Sequence, residues 1–139
     1  MDKLINREVS WLAFNERVLQ ESLDRNTPLI ERLRFLGIYS NNLDEFFRVR
    51  MATVNRMVEL KNKFIEGFDG SPKLLLSELQ KEIKHQRRKY DISYQRILKE
   101  LEAHQIYHLN EKNIPSTIIP QLENYFQNEL KQDIVPIIL

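Results

Sequence analysis

Ser10-Trp11-Leu12-Ala13-Phe14-Asn15-Glu16-Arg17-Val18-Leu19-Gln20-Glu21-Ser22-Leu23-Asp24-Arg25 places Trp11, Leu12, Phe14, Val18, Leu19 and Leu23 at intervals of three and four. Such spacing returns apolar side chains to one stripe of a helix and leaves Glu16, Arg17 and Gln20 outside it. The helix ends at Asp24-Arg25-Asn26. Thr27-Pro28 then starts another, because a threonine oxygen can cap free amides and proline fits the first helical position. Leu29, Ile30, Leu33, Phe35, Leu36, Ile38 and Tyr39 carry the second stripe.

Ser40-Asn41-Asn42 interrupts this pattern with side chains that compete for backbone hydrogen bonds, so we expect a break there. Asn42 and Glu45 have capping-box spacing, which predicts a third helix from Leu43 to about Glu66. Gly67-Phe68-Asp69-Gly70 is the next turn, and Ser71-Pro72 repeats the earlier helix start. No breaker follows until beyond Gln105. A helix of that length is about 50 Å long at 1.5 Å per residue, so it must project or form a hairpin against the third helix.

Beyond it, Ile106-Tyr107-His108-Leu109 alternates, 110–115 reads as a loop, and Ile119, Leu122, Tyr125, Phe126 and Leu130 mark a helix from about Ser116 to Lys131. Ile134-Val135-Pro136-Ile137-Ile138-Leu139 reads as a buried strand without a partner, so we expect the natural protein to continue. The predicted fold is all-α over 1–105, an antiparallel helical bundle with a long helical hairpin. It is followed at 106–139 by the beginning of an α+β second domain.

The 139 residues are 42% hydrophobic and 29% charged, enough apolar matter for a core. With no cysteine, disulfides, thiolate metal sites and cysteine nucleophiles are excluded. The formal charge of +1 gives no global field for nucleic acid. No stretch is long and apolar enough for a membrane span, and charge follows Met1 too soon for a signal peptide. A cytoplasmic protein is expected. There is no Gly-rich phosphate loop or GxSxG elbow. His85, His104 and His108 lack the setting of a helical zinc site and read as surface histidines. Lys84-His85-Gln86-Arg87-Arg88-Lys89 is the densest basic run; it reads as a solvated helix face, with polyanion contact as the alternative. Arg48, Arg50 and Arg56 carry the same two readings.

The doubled asparagine is the most unusual feature. A carboxamide offers an acceptor and two donors, which matches the edge of adenine, while capping explains one asparagine equally well. The blocks Val9 to Glu21 and Pro28 to Arg50, containing Ser40-Asn41-Asn42-Leu43-Asp44-Glu45-Phe46-Phe47, closely resemble the amino-terminal region of the polyphosphate kinases that work through a phosphohistidine.

The resemblance implies an ATP:polyphosphate phosphotransferase whose phosphorylated histidine, magnesium ligands and most phosphate-binding arginines lie in domains outside this chain. No catalytic or metal-binding residue is then assigned here, and the segment alone should be inactive. Its implied partners are ATP or ADP, inorganic polyphosphate, the remaining domains and further copies of itself, without nucleic acid. The family's nucleotide contact in this domain falls on Asn42. The competing reading is a helical interaction module, with Leu75, Leu79, Ile83, Tyr90, Ile97, Leu98 and Leu101 as an assembly seam.

Overall fold

The computed structural model describes residues 6–65 and 68–135. Helix α1, Arg7–Leu23, begins where Asn6 Oδ1 accepts the amides of Glu8 at 3.0 Å and Val9 at 3.4 Å. Its buried line is Glu8, Leu12, Asn15, Leu19 and Ser22. Phe14, expected in the stripe, is exposed. Only one narrow face of α1 is covered, and Phe14 is one residue, or about 100°, from its centre.

Helix α2, Leu29–Glu45, takes Pro28 as its boundary residue and has no side-chain cap. Thr27 therefore does not cap it; its amide instead donates to Asp24 O in the preceding turn. The expected break at 40–42 is absent. Helix α2 runs through both asparagines into a π-helical segment, Phe46–Met51, and on into α3, Ala52–Glu59. The asparagine side chains compete with a helix only when they bond its backbone locally, and Asn42 is engaged across the helix pair instead.

The wider π turn buries Phe46 and Met51, and Phe46 stacks on Trp11 with centroids 5.0 Å apart. Helix α3 stops at Glu59 rather than near Glu66 because Lys61 adopts φ 55°. Asn62 N donates to Met57 O at 3.0 Å and Lys61 N to Val58 O at 3.1 Å, the paired bonds of a Schellman ending.

Of the expected turn, Gly67 lies outside the described residues. At Gly70 an added Cβ would lie 2.8 Å from Leu74 Cδ2 and 2.9 Å from Phe68 Cε1, so a larger residue there would require those side chains to shift. Helix α4, Pro72–Ala103, starts as expected, with Ser71 Oγ accepting the Leu74 amide at 3.3 Å.

Val54 shares a cluster with Leu75 and Leu79, whereas Leu36 shares one with Ile97 and Leu101, so α4 runs antiparallel to the α2–α3 rod. Leu12 joins the first cluster and Leu19 the second, which sets α1 antiparallel to α2. The continuity of 29–59 explains how α4 is accommodated: a partner rod of nearly equal length lies beside it. The apolar seam offered for assembly is used inside the chain, since Leu75, Leu79, Ile97 and Leu101 are all core residues.

The chain divides into two compact units, Met1–Gln105 and Ile106–Leu139. The second contains a 3-10 turn at Ser116–Ile118, helix α5 at Ile119–Tyr125, a π segment at Phe126–Leu130 and a 3-10 turn at Lys131–Asp133. No strand occurs among its described residues. Ile134 and Val135, the first two of the expected buried strand, are exposed, and 136–139 lie outside the described residues.

Candidate functional site

Asn15 sits on the buried line of α1 at 0% exposure, between Leu12 and Leu19. A carboxamide in that position must be satisfied by protein groups. Its Nδ2 donates to the backbone carbonyl of Tyr39 at 3.2 Å, and its Oδ1 accepts from Asn42 Nδ2 at 3.0 Å. Asn42 is half-buried. Among the described residues its Oδ1 has no hydrogen-bond partner, while no buried side-chain polar atom is left unpaired. The Asn42 oxygen is therefore at the surface.

Tyr39 is held at both ends. Its hydroxyl donates to Gln86 Oε1 at 3.3 Å, and Gln86, fully buried on α4, donates through Nε2 to Leu12 O at 3.1 Å and Glu82 Oε1 at 2.9 Å. Burial, reinforced by Glu16 and Glu82, pushes the Tyr39 hydroxyl up to about 12, so it remains a neutral donor. The polar chain crosses all three long helices and holds Asn42 against rotation of either α1 or α2. Ile38, one turn before Asn42 on the same side of α2, is exposed and offers an apolar surface beside the amide.

The expected helix start at Leu43 does not exist, so no free backbone amides and no positive helix end accompany Asn42. Any ligand contact here is made by side chains. Asn15, Tyr39 and Gln86 were not among the sequence-predicted site residues. The available signal was Asn15 itself, a polar residue three positions after Leu12 and four before Leu19 in an apolar line.

The basic run divides. Lys89 pairs with Glu16 on α1. Lys84, Arg87 and Arg88 remain exposed, and Arg87 lines an open cleft of about 350 Å³ between α2 and α4 with Ser40, Asp44, Phe47, Tyr90 and Asp91. Glu100, further along α4, takes Arg32 bidentately at 2.7 and 3.2 Å. The Arg32 hydrogen bond holds its carboxyl below the usual range. Arg50 lies 3.6 Å from Glu8, a buried carboxylate also paired with Arg7 at 2.8 Å. His85 is exposed on α4 and His104 ends that helix. Among the described residues no group of three or more histidine or carboxylate side chains could hold a metal ion, and no helix is long and apolar enough to cross a membrane.

Residues 4–109 match the family described as the polyphosphate kinase N-terminal domain. Over 135 residues the chain is 42% identical to proteins named polyphosphate kinase from Klebsiella pneumoniae and Escherichia coli K12, covering 97% of this chain. It is 41% identical over 139 residues to the one from Vibrio cholerae. The chain spans only 19% of the length of the first two relatives and 20% of the third. No solved structure matches it.

Proposed function

This chain belongs to the polyphosphate kinase family, whose N-terminal domain it carries, and from that premise we propose that it positions ATP or ADP through Asn42 in an ATP:polyphosphate phosphotransferase. In the proposed reaction the terminal phosphoryl group passes from ATP to a histidine, releasing ADP. It then passes to the terminal oxygen of polyphosphate, which grows by one unit and frees the histidine; the reverse sequence makes ATP. The histidine, magnesium and the arginines that neutralise phosphate are assigned to domains beyond this chain. The described residues of this chain do not fit a magnesium site.

On this reading 1–105 is a nucleotide-covering helical domain and 106–139 begins the head domain, in a cytoplasmic enzyme supplied with ATP. The domain's contribution is alignment: a nucleotide held by its base loses its rotational freedom before the phosphates react. The observation that carries the proposal is the half-buried Asn42 amide, braced from inside and open through its oxygen. The interaction-module reading loses its supporting feature, because the α4 seam is occupied within the chain.

The test is Asn42→Ala in a full-length polyphosphate kinase carrying this domain. Loss of a base contact should raise the KM for ATP by about tenfold, on the scale of one good hydrogen-bonding pair, with the KM for polyphosphate unchanged. An unchanged KM for ATP removes the nucleotide role.

A further inference from the structure

We propose that Asn15 is a positioning residue that fixes the polarity of the Asn42 amide, and that the domain thereby favours a 6-aminopurine nucleotide over a 6-oxopurine one. The inference rests on the nucleotide-contact reading of Asn42 and extends it to a second residue and to base selection.

Two carboxamides in contact can pair in either sense, and a third group decides which is adopted. Here that group is the Tyr39 carbonyl, which only accepts. Asn15 must turn Nδ2 toward it, as the 3.2 Å contact shows, and its Oδ1 then faces Asn42. Asn42 must answer with Nδ2, as the 3.0 Å contact shows. Flipping Asn42 alone would set two amide oxygens against each other. Flipping both would set Asn15 Oδ1 against the Tyr39 oxygen, in a place fully closed to water.

The order Tyr39 C=O, Asn15, Asn42 therefore runs in one direction only, and it leaves Asn42 Oδ1 outward as an acceptor beside the second Nδ2 hydrogen. An acceptor in that position complements the exocyclic amino group of adenine and repels the C6 oxygen of hypoxanthine or guanine. Tyr39 cannot drift to relax the arrangement, because its hydroxyl is tied to Gln86 on α4.

ATP and ITP differ only along the N1–C6 edge, where the amino group and N1 acceptor of adenine become an oxygen and an N1–H donor, so their ratio of kcat/KM in a full-length polyphosphate kinase carrying this domain reads the polarity of the amide that meets that edge. The unmodified enzyme should prefer ATP by about tenfold or more, as expected where a site built around a hydrogen bond meets the wrong partner. Asn15→Leu is close in volume and removes the latch. Inside α2 the Tyr39 carbonyl keeps the helix's own hydrogen bond, so the variant should melt near the parent temperature and keep its KM for polyphosphate. Its preference should fall by about fivefold, since the released amide can present either end. Asn15→Ala, a smaller truncation, is measured in parallel.

A parent enzyme indifferent to ATP and ITP overturns the proposal. So does full preference retained in a folded Asn15 variant, or loss of fold in both variants, which would make Asn15 a packing residue only. The two readings separate cleanly: Asn42→Ala with an unchanged KM for ATP removes the contact itself. If Asn42→Ala raises that KM while the Asn15 variants keep the ATP preference, only the latch falls.

Discussion

Asn42 on α2 and Asn15 on α1 are joined side chain to side chain at 3.0 Å, and the partner that orients them both is the Tyr39 carbonyl, three residues before Asn42 in the chain. A residue whose type suggested a helix end instead clamps two helices together.

This clamp has a modest energetic value. Asn42→Ala leaves the buried Asn15 oxygen without its donor, and half-burial of Asn42 lets water replace part of the bond. The expected cost is about 1 kcal/mol, seen as a lower urea midpoint with an unchanged slope. A cost near zero would show that water substitutes fully.

Tyr39 predicts an alkaline effect. Its folded value is raised from 10.0 to about 12, so its contribution is fully present below pH 10 and is lost as pH rises toward 12. Tyr39→Phe should therefore flatten the decline of the melting temperature between pH 10 and 12. At neutral pH the same variant should lose about 1–3 kcal/mol, because Gln86 Oε1 is left unpaired in the core. An alkaline limb identical to the parent's would contradict this account.

The π segment makes a deletion test possible. A π turn takes up one extra residue without turning the helix that follows it, so removing the exposed Val49 would restore α-helical hydrogen bonding and leave Met51 and Val54 in the cluster they share with Leu75 and Leu79. The loss should stay below about 1 kcal/mol. The emission of Trp11, the sole tryptophan, should stay where it is in the parent. A loss above about 3 kcal/mol, comparable to a large-to-small core substitution, would mean that the π turn itself shapes the core.

Lys61 sits at φ 55°, where a side chain crowds the backbone and glycine does not. Lys61→Gly should stabilise the chain by a few tenths to about 1 kcal/mol, offset in part by the freer unfolded glycine. Thermal melting reads the sign directly, and a fall in melting temperature would contradict the strain argument.

The long helices were legible because apolar spacing is a property of the chain itself: Leu12, Leu19, Leu36, Leu75, Leu79, Ile97 and Leu101 are all core residues. The Ser71-Pro72 start was legible for the same reason, since the cap and its amide lie three residues apart. The family could also be read from two ordered blocks of residues, and the match over 4–109 bears it out.

Tertiary structure decided the rest. Whether Asn42 would cap its own backbone or reach to another helix depended on Asn15 being buried 27 residues away. Whether α2 would stop or run on depended on Trp11 receiving Phe46 and on α4 covering the whole rod. Local pattern determines what a segment can do alone, because helix periodicity and capping act within a few residues. Where a polar side chain spends its hydrogen bonds is settled only when distant partners arrive, since a buried amide must be paired and the nearest candidate in space need not be near in sequence.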